Sequence, residues 1–101
     1  MGNRLELQTI LEGVLGTRNV YFQPPESIKI VHPAIIYSKS SEFIKFANNG
    51  LYKNVKRYTV IVIDKDPDSD IPDKVLRLPL CSFDRYYTKN NLNYNVYSLY
   101  F

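Results

Sequence analysis

The sequence predicts an α+β domain: a mostly antiparallel sheet, an N-terminal helix and a short second helix packed on one side, and a closing C-terminal hairpin. Three observations carry that expectation. Residues 4–15 place Leu7, Ile10, Leu11, Val14 and Leu15 at three- and four-residue spacing, which is one apolar stripe on a helix. Residues 56–63 alternate Tyr58, Val60 and Val62 with Thr59, Ile61 and Ile63, so both faces are largely apolar, as in a strand covered on both sides. Residues 81–88 and 94–101 are two aromatic-rich alternating runs around the break Lys89-Asn90-Asn91-Leu92-Asn93. A length of 101 residues and an apolar content of 45% suit a single domain, residues 1–101, with a modest core.

The elements follow in order. Asn3 can cap the first helix, with Glu6 as the reciprocal partner, and Gly16 supplies the left-handed residue that ends it. The segment NVYFQ at 19–23 is extended and stops at Pro24-Pro25; residues 26–32 are a loop or another short strand. His32-Pro33 forces an extended start to the strand AIIYS at 34–38. Residues 40–54 are polar, with Phe43, Phe46 and Leu51 as anchors and the turn signal Asn48-Asn49-Gly50, and read as a long, partly mobile connection. After the 56–63 strand, Asp64, Asp66, Asp68 and Pro67 break the ladder. Asp68 or Ser69 then caps a short helix, with Asp70 and Asp73 in its first turn, Ile71, Val75 and Leu78 on its apolar face, and Pro79 ending it. In the first closing strand, strict alternation puts Cys81, Phe83, Arg85 and Tyr87 on one face and Ser82, Asp84, Tyr86 and Thr88 on the other.

Composition narrows the function. Residues of the first helix are broken by Arg4, Glu6, Gln8 and Glu12, and no run is long enough to cross a bilayer or to form a signal peptide core, so no membrane role is expected. A single cysteine, Cys81, rules out an internal disulfide. Asp64, Asp66 and Asp68 match the opening of a calcium loop, but Ser69 stands at its glycine position and Val75 at its glutamate position, so no metal is assigned. His32 is the only histidine, and no local pattern joins it to Cys81 as base and nucleophile. The glycines Gly2, Gly13, Gly16 and Gly50 form no phosphate loop, and no carboxylate pair sits in an acid–base frame. The expectation is a non-enzymatic chain without a cofactor.

Nine Tyr, five Phe and no Trp are more aromatic surface than one small core requires, which suits an interface. Arg85 and Lys89 beside Tyr86 and Tyr87, with Tyr94 and Tyr97 opposite, also fit a small nucleic-acid-binding module, although Asp84 lies among them and the net charge is only +3.

Taken together, RLELQTILEGVLG, NVYFQPP, HPAIIY, KRYTVIVIDKDPDSDIPDKVLRLP and CSFDRYYTKNNLNYNVYSLYF form an ordered set over nearly the whole chain. This set resembles the small tail-completion, or tail-terminator, proteins of tailed bacteriophages. NVYFQPP and the pattern YxVxxIDxxPDSxIPDK carry most of the likeness. The resemblance implies a virion protein of the neck, made in the host cytoplasm. It implies a homo-oligomeric ring, a hexamer, that ends the tail tube and meets a head-side connector or stopper protein. Genomic DNA would pass through its lumen without specific binding. The same traits fit a head-closure (stopper) or other connector protein, which is the alternative role. The expected subunit or partner contacts are Arg85, Tyr86, Tyr87, Tyr97, Tyr100 and Phe101, with Asp64, Asp66, Asp68 and Asp70 on a loop that faces a neighbour.

Overall fold

The computed structural model describes residues 4–25, 27, 29–39 and 57–101. The expected cap at Asn3, the connection at 40–54 with its Asn48-Asn49-Gly50 turn, and the cations Lys53 and Lys56 lie outside the described residues. The elements are α1 (Arg4–Leu15), β1 (Val20–Phe22), β2 (Ala34–Lys39), β3 (Arg57–Asp64), α2 (Ile71–Leu76), β4 (Cys81–Lys89) and β5 (Leu92–Tyr100). They build the expected α+β fold. The sheet has five strands in the order β1-β2-β3-β5-β4, antiparallel except where β1 runs parallel to β2.

The apolar stripe of α1 is buried along its Leu7–Leu11–Leu15 line, whereas Val14 is half-buried and Ile10, at the edge of the stripe, is exposed. Leu7 and Leu11 are fully buried and Leu15 nearly so. Gly16 at φ 84 turns the chain out of the helix, and its N–H reaches the Glu12 carbonyl at 2.9 Å. Gln8 anchors the helix to the sheet: its Nε2 donates to the Val20 carbonyl (3.0 Å), and its Oε1 accepts from the Tyr37 hydroxyl (2.6 Å). Arg4 stacks over the Phe22 ring at 4.5 Å and donates to the same Tyr37 oxygen.

Both helices lie on one side of the sheet. There Leu7, Leu11, Leu15 and Val75 meet Ile35, Tyr37, Tyr58, Val60, Val62, Tyr97 and Leu99 in one core. The opposite side differs from the expectation for β3. Ile63 is buried, but Thr59 and Ile61 are half-buried, and no helix among the described residues packs there. The β-branched run at 59–63 reflects strand propensity as well as burial, so it overstated the cover.

The closing hairpin also departs from its expected form. The loop is two residues long: Asn90 (φ 54) and Asn91 (φ 62) join strands that end at Lys89 and begin at Leu92. Positive φ at both positions matches the primed turn that suits a tight hairpin, and asparagine tolerates it. The strict alternation of β4 fails at Asp84. Phe83 pairs with Tyr97 and Arg85 with Val96, so Asp84 is the unpaired residue of a β-bulge. Past the bulge every side chain changes face. Cys81, Phe83, Tyr86 and Thr88 point to the helix side, and Ser82, Arg85, Tyr87 and Lys89 point to the other.

In α2, Asp70 occupies the cap position rather than the first turn, and its side chain makes no capping bond. Ser69 Oγ accepts from the Ile71 N–H at 3.2 Å instead. Leu78 lies past the helix end and still packs against the core.

The burial of α1 gives a direct test. Leu11→Ala should lower the free energy of unfolding by about 2–5 kcal/mol, as full-sized core truncations do. Leu5→Ala, at an exposed position of the same helix, should stay within about 0.5 kcal/mol. Urea unfolding followed by far-UV circular dichroism reads both.

Candidate interaction surface

Tyr97 shows how the sheet sorts its aromatics. Its ring is only 2% exposed, its hydroxyl donates to the Pro72 carbonyl of α2 at 3.0 Å, and Phe83 meets it edge-on at 5.7 Å. It is therefore core, and the structure removes it from the expected contact residues. Burial raises its pKa to about 12, with Cys81 and Asp73 adding to the rise.

The remaining expected contacts separate by face. Tyr86 is 50% exposed on the helix side. Its hydroxyl donates to Asn93 Oδ1 at 2.6 Å, and Asn93 Nδ2 donates to the Asp64 and Lys65 carbonyls at 3.2 and 3.3 Å. Buried Asn93 thus ties the hairpin to the aspartate loop. Tyr87 lies on the other side, stacked on Tyr94 with centroids 4.8 Å apart and planes 5° from parallel. Arg85 shares that side and is exposed.

The aspartates serve their own backbone. Asp64 Oδ1 accepts the Asp66 N–H at 3.0 Å, and Asp66 Oδ1 accepts the Asp68 N–H at 2.9 Å. These are successive Asx turns, the usual use of Asp where a strand breaks into a helix. Asp70 pairs with Lys74 across one helical turn at 3.6 Å, both well exposed. Asp64 is half-buried and Asp66, Asp68 and Asp70 are exposed, so the loop has free surface. Among the described residues, no group of three or more His, Cys, Asp or Glu is placed to hold a metal ion. Cys81 is half-buried at the head of β4 and packs against the core, and burial pushes its thiol pKa up, away from the thiolate. His32 is half-buried just before β2.

Tyr100 and Phe101 line an apolar cleft of about 230 Å³ between α1, the α2–β4 connection and the end of β5. Leu7, Ile10, Leu78, Pro79, Leu80 and Leu99 complete its walls. Sequence reasoning missed this cleft and three of the residues on its side of the sheet. Leu80 and Phe83 are each 50% exposed, and Leu76 is exposed on α2. Leu80 also sits at φ 59, in the left-handed region that costs a leucine about 1–2 kcal/mol. The triplet Leu78-Pro79-Leu80 was a visible signal, because a leucine between a helix-ending proline and a strand has no periodic place in either element.

No helix among the described residues is long and apolar enough to cross a membrane. Comparison with protein-family models, with curated proteins and with solved structures finds no match to this chain.

Two measurements probe this part of the molecule. Asn93→Ala removes three side-chain hydrogen bonds. It should cost about 2 kcal/mol of stability and speed amide exchange in the loop from Lys65 to Ser69. Tyr97 tests pH dependence. Its raised folded-state pKa means its contribution is whole below the unfolded value near 10 and is lost as pH rises through about 12. Between those values, wild-type stability should fall more steeply than that of Tyr97→Phe, read by thermal unfolding at matched pH.

Proposed function

We propose that this chain is a structural subunit of a bacteriophage neck: one member of a closed ring that ends the tail tube and joins it to the head-side connector. The observation that carries the reading is the uncovered apolar surface on the helix side. Leu80, Phe83 and Tyr86 are each half-exposed there, and Ile10 and Leu76 are exposed on the helices that flank them. A lone subunit leaves this surface in water, where apolar area costs about 25 cal/mol per Å². A protein neighbour removes the cost, and patches of this composition are what interfaces use.

Leu80 adds an independent argument. A half-exposed leucine held at positive φ is poor for the monomer on two counts, since glycine or asparagine would sit there with less strain. Such strain persists where the side chain serves something other than the fold. Among the described residues, β4 and the short β1 are the two edge strands, at opposite ends of the sheet order. Contacts that use different patches on each partner generate rings when the rotation closes. The ordered set of motifs that resembles tail-completion proteins supplies the biological setting. Neighbours would be copies of the chain itself, the tail tube protein and a connector or stopper, with genomic DNA passing through the lumen.

Native mass spectrometry of the purified chain, alone and with tail tubes and connectors, tests the reading. A closed ring, sixfold in number, or a tube-bound ring is expected. Monomer throughout, with no association to tubes or connectors, removes it. Leu80→Asn should leave the unfolding free energy of the subunit within about 1 kcal/mol, because strain relief offsets lost packing. The same variant should weaken assembly at least tenfold.

A further inference from the structure

The bulge at Asp84 gathers cations on the side of the sheet that no described helix covers. Register places Arg57, Thr59, Ile61 and Ile63 of β3 there, beside Leu92, Tyr94, Val96, Ser98 and Tyr100 of β5 and Ser82, Arg85, Tyr87 and Lys89 of β4. Arg57 confirms the facing, since it donates to Ser98 Oγ at 3.1 Å. Among these paired positions are three cations and no carboxylate. Asp84, the acid of β4, is the residue the ladder leaves out.

The cations form a row. Lys89 pairs beside Leu92, Arg85 beside Val96 and Arg57 beside Tyr100. At about 3.4 Å per residue, each four-residue step along β5 is about 14 Å and the three cations span about 27 Å along it, with Arg57 across β5 on β3. Between Lys89 and Arg85 stands the stacked pair Tyr87–Tyr94, whose outer ring, Tyr87, is 39% exposed. Arg85 and Lys89 are exposed. Without the bulge, Arg85 and Tyr87 would face the helices and the row would not exist.

We propose that this row is a contact for the phosphodiester backbone of nucleic acid, with Arg85 and Lys89 neutralising phosphates and Tyr87 offering a ring face to an unpaired base. A linear array of like charge beside an exposed aromatic is how proteins track a nucleic-acid strand without reading its sequence. The charge favours a polyanion, and the ring favours one that carries bases. The contact is weak by construction. Two phosphate contacts per subunit, from Arg85 and Lys89, give a salt slope near −1.4 for a single strand, about a seven-fold loss between 50 and 200 mM salt. Such binding allows a strand to slide past, so it coexists with a lumen that DNA must traverse. It stands apart from the ring proposal, because it uses the opposite side of β4.

Fluorescence anisotropy of labelled oligothymidine and of a labelled duplex, titrated with the full chain from about 50 mM salt upward, tests it. Binding that weakens with salt is expected. Arg85→Ala and Lys89→Gln should each reduce the slope by about 0.7, while Arg77→Ala, an exposed cation on the helix side, should not change it. Loss of single-strand binding but not duplex binding in Tyr87→Ala assigns the site to unpaired strands; equal retention of both assigns it to duplex. No binding at low salt, or binding indifferent to Arg85 and Lys89, overturns the proposal. Equal affinity for polyglutamate overturns it in favour of an acidic protein partner. Ring formation is scored on the same samples by mass spectrometry, so failure of either proposal is read separately.

Discussion

Among the described residues, a shortage of helix over sheet governs the structure. α1 has 12 residues and α2 has 6, which at about 1.5 Å per residue gives about 27 Å of helix among the described residues. A helix with side chains is about 10 Å wide, so the pair can cover about 270 Å² of sheet. Five strands about 4.8 Å apart, from 3 to 9 residues long, present about twice that on each side. The cover is placed over β2, β3 and β5, where Tyr37, Val60, Val62 and Leu99 are fully buried. What is left over is β4, exposed at every position except Cys81. Its nine residues are held mainly by β5 rather than by a layer above.

The tyrosines adapt to this partial cover because each has an apolar body and a polar tip. Tyr37 and Tyr97 are buried to the ring, and each hydroxyl finds a partner on a helix: Gln8 of α1 and the Pro72 carbonyl of α2. Those bonds fix where the helices sit on the sheet. Tyr58 is buried as well, with its pKa raised chiefly by loss of solvent and further by nearby Tyr37. Tyr86 reaches the buried Asn93 with its hydroxyl while half its surface stays in water. One residue type therefore serves as core, strut and surface, according to how far each strand lies from the helices.

That range explains what could be read from the chain. Leu7, Leu11 and Leu15 announced α1 because a 3.6-residue repeat needs no tertiary context. The strands at Ala34 and Arg57 were legible from β-branched runs, and the hairpin from its paired aromatics. The facing of Arg85, Tyr86 and Tyr87 was not legible. A period of two assigns faces only while every residue is paired, and nothing in Phe83-Asp84-Arg85 marks which residue the ladder will skip. Tyr97 escaped for a related reason: alternation assigns it a face but not the helix above that face, and α2, whose Pro72 carbonyl takes its hydroxyl, makes it core. The cleft rim at Leu80 was missed because a positive φ runs against the local propensity of leucine and no turn residue marks it.

The bulge also decides whether β4 can serve more than one partner. In a regular strand, Phe83, Arg85 and Tyr87 would share a side, and any neighbour meeting that side would have to desolvate a guanidinium beside two rings. Burying an unpaired cation costs several kcal/mol, enough to cancel the gain from the aromatics. Omitting Asp84 from the ladder sends Arg85 and Tyr87 one way and leaves Phe83 and Tyr86 together on the other. The helix-side stretch can then be buried against protein without a charge in it. The opposite stretch keeps its cations in water, where their field reaches about one Debye length, near 8–10 Å, toward whatever anion approaches. A single unpaired aspartate thus converts one exposed strand into two chemically distinct surfaces, and restoring strict alternation would merge them into one that suits neither a protein nor a polyanion.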